Sequence, residues 1–177
     1  MNAAAAPGDS MSESGQIGER RHQRPASARG YDRTMTTGPL GAGALDFWLG
    51  TWVLSWPGGG HGTNTVRRIL DDRAIEESFD GHDPDGSLQG RSLSVCDSDG
   101  RWWQTWVDST GAYLDLAGVE VDDRLAFQRS ATVDGVTQTQ RMVWLDVTTD
   151  SFRWQWQRSD DAGASWTILW EIAYRRQ

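Results

Sequence analysis

A chain of 177 residues has the length of a single domain that can bury its own core. Its formal net charge of −8 and pI near 4.8 argue against nucleic acid or an anionic membrane surface as partner, since both are bound through Lys and Arg. A lone cysteine, Cys96, excludes an internal disulfide framework and a cysteine-cluster metal site, and no apolar run approaches the ~20 residues of a bilayer-spanning helix. The expectation is a soluble, cytoplasmic protein.

Residues 1–40 hold almost no large apolar side chains and no periodicity, which predicts a disordered tail followed by one domain over 41–177. The tail carries Arg20, Arg21, Arg24, Arg29 and Arg33, but the apolar core of a secretory signal is missing. Met11 and Met35 are alternative translation starts. Ala44 to Leu49 then reads as a short helical turn closed by Gly50, and a strand follows in which Trp52, Leu54 and Trp56 share a side until Pro57 and Gly58 to Gly60 end it.

Beyond that point extended segments alternate with turn residues. The pattern predicts strands near Gly62 to Leu70, Ala74 to Asp80, Leu88 to Cys96, Arg101 to Asp108, Tyr113 to Val121, Arg124 to Ala131, Val136 to Asp146, Ser151 to Arg158 and Ser165 to Arg175. Hairpin residues such as Asp71-Asp72, Asp97-Ser98-Asp99-Gly100, Asp122-Asp123 and Asp134-Gly135 separate them. No segment is long enough for a crossover helix, so the expected fold is all-β, an antiparallel meander of about ten strands. Curling such a meander into an up-and-down barrel removes its edges and leaves room for one small ligand, with a two-sheet sandwich as the competing arrangement.

Three stretches carry a family resemblance: Asp46-Phe47-Trp48-Leu49-Gly50-Thr51-Trp52 at the start, Trp103-Gln104-Thr105-Trp106-Val107-Asp108-Ser109 in the middle, and Ser159 to Trp166 with Tyr174-Arg175-Arg176 at the end. Together they resemble an uncharacterised bacterial family of lipocalin-like proteins over most of residues 45–176. The resemblance implies a calycin-type barrel closed at one end by the N-terminal helical turn, with no particular activity attached. It also implies that Trp52, in a Gly-x-Trp signature, packs under an arginine of the last strand, Arg175 or Arg176, a guanidinium-on-indole contact that would tie first strand to last. A haem-binding branch of the calycins ligates iron through a late histidine, whereas the last histidine here is His82, so no haem, and no other cofactor, is expected.

The central strand sets the functional expectation. Trp102, Gln104, Trp106 and Asp108 alternate onto one face, and Trp103, Thr105 and Val107 onto the other. The tryptophan faces of the late strands, Trp154 with Trp156 and Trp170 with Trp166, Ile168, Ile172 and Tyr174, are taken as inward. They either fill the barrel solidly or line a cavity for a small hydrophobic or aromatic molecule. Candidate ligand-binding residues are Trp102, Gln104, Trp106, Tyr113, Arg141, Trp154, Trp156 and Trp170, with Glu171 a further polar candidate for the interior. The alternative is a cofactor-independent isomerase, cyclase or dehydratase with Asp108 and Glu76 as acid and base; Glu76 and Glu77 point to opposite faces, so at most one looks inward. Nothing predicts a bound metal, and an exposed indole such as Trp103 suggests a homodimer surface.

Overall fold

The computed structural model describes residues 40–177 apart from Asp134. The expected tail, Leu40 excepted, is outside the described residues. After a 3-10 turn at Asp46–Trp48 come ten strands: β1 (Gly50–Trp56), β2 (Gly60–Ile69), β3 (Ala74–Asp83), β4 (Gly86–Cys96) and β5 (Trp102–Asp108), then β6 (Tyr113–Val121), β7 (Arg124–Val133), β8 (Val136–Leu145), β9 (Ser151–Ser159) and β10 (Thr167–Arg176). Each pairs antiparallel with the next, and β10 pairs with β1, so the meander closes into an up-and-down barrel without an edge.

The turn chemistry explains the closure. Asp122 and Asp123 both take positive φ, 50° and 60°, as a two-residue hairpin with the strand-matched twist requires, and they join β6 directly to β7. Period-two alternation then sets the two faces. On β1, Trp52 and Leu54 are buried while Val53 and Ser55 are exposed; on β2, Asn64 and Val66 alternate with exposed Thr63, Thr65 and Arg67. Arg67, Arg91, Asp115, Arg153 and Arg175 occupy the outer face, and the aromatic residues occupy the lumen, the reverse of a barrel that crosses lipid. No helix among the described residues is long and apolar enough to cross a membrane.

The two ends differ. At one end Leu45 and Trp48 of the 3-10 segment are buried against Trp52, Trp144 and Phe152, and the Trp48 carbonyl accepts a 2.8 Å hydrogen bond from Trp52 Nε1. Phe47 meets Trp144 and Phe152 edge-on at 6.0 and 5.8 Å. Arg176 caps this floor: its guanidinium carbon stands 4.2 Å over the Trp52 ring, Nη1 donates to the Leu49 carbonyl at 2.9 Å and Nε to the Thr149 carbonyl at 2.8 Å. Of the two arginines named for that contact, Arg176 makes it. Gly50, at φ 128°, permits the approach, because a Cβ there would be 2.4 Å from Arg176 Nη1. The expected helical turn at 44–49 is thus one 3-10 turn, with Gly50 already the first residue of β1.

One strand departs from simple alternation. A register shift between Ile168 and Trp170 leaves Leu169 as an extra residue, and Ile168 comes opposite Gln157 on the outer face instead of joining Trp170, Ile172 and Tyr174 inside. Ile168 is accordingly exposed. Trp166 precedes β10 and packs outside the barrel, over Arg141.

Candidate functional site

The lumen divides into an apolar floor, a polar middle and an aromatic mouth. The mouth is built from inward positions at the far ends of the strands: Trp56, Trp106, Trp154, Trp156 and Trp170, all only partly buried although they face inward. Two of these indoles are held flat against the wall. A Cβ at Gly60 would be 1.8 Å from Trp56 Nε1 and one at Gly90 would be 2.1 Å from the Trp106 ring, so each ring rests on a glycine backbone that any larger residue would displace. Their N–H edges are tied to rim carboxylates, Trp56 to Asp83 Oδ1 at 2.7 Å and Trp106 to Asp108 Oδ2 at 2.9 Å. Glycine seats and N–H tethers fix the orientation of these two π-faces.

The middle is polar and buried. Glu77 on β3, 6% exposed, accepts 2.7 Å from Asn64 Nδ2 of β2 and 2.6 Å from Ser92 Oγ of β4. Asn64 Nδ2 also reaches the Tyr174 hydroxyl of β10 at 3.2 Å, and Gln104 Nε2 on β5 donates to Ser94 Oγ at 2.9 Å. Burial pushes the Glu77 carboxyl up to about 6, against the opposing pull of the bonds from Ser92 and Asn64. Burial, and then the neighbouring Glu77 charge, also raise the Tyr174 phenol, which stays neutral. Two buried acceptors, Asn64 Oδ1 and Gln104 Oε1, have no hydrogen-bond partner, although Asn64 is wholly buried and Gln104 is 2% exposed. Burying such an atom unpaired costs about 1–3 kcal/mol, which makes the middle of the lumen the place where a ligand's donors gain most. The unpartnered indole N–H groups of Trp48 and Trp144 belong to the floor, where the two rings meet edge-on at 5.4 Å.

The sequence-derived candidates sort by face. Gln104, Trp106, Trp154, Trp156 and Trp170 come together in the middle and mouth. Trp102 faces inward but belongs to the floor, its Nε1 donating 3.3 Å to the Leu40 carbonyl. Tyr113 is exposed on the outer face opposite Val107. Arg141 also points outward, because its neighbour Met142 takes the inward position. Its guanidinium stacks 3.7 Å over Trp166 and Nε donates 2.7 Å to Gln157, while desolvation lowers its pKa against the pull of Asp122. Glu171 is outside too, bonded to Gln155 and, at 3.0 Å, to Arg153.

Asp108 and Glu76 are not brought together. Glu76 is on the outer face, paired with Arg67 at 2.6 Å, since Ile75, Glu77 and Phe79 take the inward parity of β3. Asp108 stands at the lumen rim. Burial would raise its pKa, but bonds from Thr110 Oγ1 (2.6 Å), Trp106 Nε1 (2.9 Å), Thr110 N (2.9 Å) and Ala112 N (3.3 Å) outweigh it and hold the carboxyl below its ordinary value. It is an ionised turn cap. Of the two adjacent carboxylates that could look inward, Glu77 does so, and the alternation of Ile75, Glu77 and Phe79 is the signal that marks it.

A groove of about 480 Å³ is lined by Asp122, Arg124, Arg141 and Val143 together with the core residues Leu125 and Trp144. Its one buried unpartnered side-chain atom is Trp144 Nε1, a donor that belongs to the floor. Among the described residues no group of three or more His, Cys, Asp or Glu side chains gathers as metal ligands would. No family model matches the chain, and no curated protein matches it.

Proposed function

We propose that the barrel binds one small, largely apolar molecule inside its lumen, with the ligand's flat faces against the mouth indoles and its polar end at the Glu77–Asn64–Gln104 centre. The observation that carries this reading is the pair of buried, unpartnered amide oxygens, Asn64 Oδ1 and Gln104 Oε1, beneath inward-facing tryptophans that are still partly open to solvent. A solidly packed barrel has no use for acceptors it leaves empty, whereas a binding site combines apolar walls with a few convergent polar groups. In the same reading the chain is lipocalin-like, and the Arg176–Trp52 contact between last and first strands supports that placement. Saturable quenching of tryptophan fluorescence by an aromatic ligand, weakened in Gln104→Leu and unchanged in the outward-facing Trp103→Ala, tests it; equal quenching in all three proteins would overturn it.

A second reading has its own observation. Glu77 is a buried carboxyl with a pKa of about 6, close to the value at which an acid both gives and takes a proton at neutral pH. A cofactor-independent isomerisation, cyclisation or dehydration in this lumen would run through Glu77, with Tyr174 and Asn64 orienting the substrate, and not through Asp108 and Glu76. Turnover surviving in Glu77→Gln would exclude it.

A further inference from the structure

We propose that the lumen selects an organic cation, an ammonium group on an apolar or aromatic body, with Glu77 as its counter-ion and the Asn64 and Gln104 amide oxygens as its hydrogen-bond acceptors. This rests on the reading of the lumen as a binding site and adds the charge of what enters it.

Acceptors converge at the centre of the lumen. Glu77 presents two carboxylate oxygens, and Asn64 Oδ1 and Gln104 Oε1 are acceptors without donors. Most of the donors already present are spent, and the Tyr174 and Ser94 hydroxyl protons, both neutral, are what is left. Asn64 Nδ2 serves Glu77 and Tyr174, Ser92 Oγ serves Glu77, and Gln104 Nε2 serves Ser94. What the site lacks is a positive charge carrying several N–H groups. A carboxylate ligand would meet like charge and facing lone pairs; an ammonium meets complementary groups on both counts.

No side chain of the barrel fills that role. The chain contains no lysine. Of the lumen-side arginines, Arg68 on β2 is turned to Asp46 and, at 3.0 Å, to the Asp72 carbonyl, and Arg176 on β10 to the floor carbonyls of Leu49 and Phe47. At the rim Arg129 reaches Gln140 at 3.4 Å, and Arg158 pairs with Asp160 at 3.2 Å. The groups facing Glu77 are the amide of Asn64 from β2, the hydroxyl of Ser92 from β4 and the neutral phenol of Tyr174 from β10, and none of them is cationic.

The approach to this centre has the same preference. Ser92 stands opposite both Glu77 on β3 and Trp106 on β5, so Glu77 and Trp106 lie two strands apart on a single cross-strand row with Ser92 between them. Indole faces attract cations through the ring quadrupole, by about 0.5–2 kcal/mol each when water is excluded. The carboxylates of Asp83 and Asp108, which hold the N–H edges of Trp56 and Trp106, add negative charge at the mouth.

The test titrates the full-length protein by calorimetry at pH 7.5 with three probes of similar size: 2-phenylethylamine, 2-phenylethanol and 3-phenylpropanoate. The amine is expected to bind at least tenfold more tightly than the alcohol, with the carboxylate weakest. In Glu77→Gln the advantage of the amine over the alcohol is lost. In the wild-type protein the advantage of the amine shrinks as the pH is lowered from 7.5 to 5 and Glu77 takes up its proton, a readout that needs no variant. Equal or tighter binding of the alcohol or the carboxylate overturns the inference and leaves the binding reading standing. An amine preference that Glu77→Gln and low pH both spare overturns Glu77 as counter-ion. Failure of all three probes to bind overturns the inference and the binding reading together.

Discussion

At the closed end of the barrel Trp48, Trp52 and Trp144 are between 0 and 3% exposed, whereas at the open end Trp56, Trp106, Trp154, Trp156 and Trp170 face the same lumen half-buried. The floor rings meet one another edge-on, Trp52 on Phe152 at 4.8 Å and Trp48 on Trp144 at 5.4 Å. The mouth rings also touch, Trp56 edge-on to Trp170 at 5.3 Å and Trp106 edge-on to Phe79 at 6.0 Å, but two of them are laid on glycines and tethered at the rim. One residue type therefore does two jobs. Packed on all sides it is core, and backed by a glycine with its N–H anchored it is wall. The polar cluster around Glu77 marks the boundary between them.

The comparison predicts unequal costs. Trp52→Ala should remove about 3–5 kcal/mol of stability in urea denaturation, the range for truncating a buried aromatic, whereas Trp106→Ala should cost about 1–2 kcal/mol and act mainly on ligand affinity. Similar losses at the two positions would erase the distinction between floor and mouth. Glu77→Gln probes the boundary. The folded carboxyl is raised from 4.5 to about 6, so its contribution is fully present below about pH 4.5 and is lost as the pH rises through 6. The replacement should therefore gain about 2 kcal/mol at pH 8 and nothing below pH 4.5. Denaturation midpoints of the two proteins that run parallel from pH 4 to 8 would contradict the burial of that carboxylate.

Smaller effects sharpen the contrast further. Arg176→Gln, which removes the stack on Trp52 and the bonds to the Leu49 and Thr149 carbonyls, should cost about 1–2 kcal/mol of stability in the same urea assay without changing ligand affinity. Gly90→Ala places a Cβ where the Trp106 ring now rests and pushes the indole into the lumen. A stability change within about 1 kcal/mol is expected, together with a shifted tryptophan emission and at least tenfold weaker binding; unchanged emission and affinity would show that Gly90 is no seat.

Much of this was legible in the chain. Paired aspartates and Asp-Gly steps mark hairpins because they tolerate positive φ, and alternation on β1, β5 and β9 assigns Trp52, Gln104 and Trp154 to the lumen. Two features resisted. The extra residue at Leu169 shifts the parity of β10, and no glycine or proline nearby announces it, so Ile168 read as inward. Glu76 and Glu77 are adjacent carboxylates, and only the flanking Ile75 and Phe79 say which one enters. The partners of Glu77 come from β2, β4 and β10, and their convergence depends on the register and curvature of a closed barrel, which strand periodicity does not specify.

The most direct measurement is calorimetric titration of the full-length protein with 2-phenylethylamine, in parallel with Trp106→Ala and Trp103→Ala. An occupied lumen predicts one site per chain, at least tenfold weaker binding in Trp106→Ala and unaltered binding in Trp103→Ala. Absent binding in the wild-type protein, or equal loss in the two variants, would contradict it.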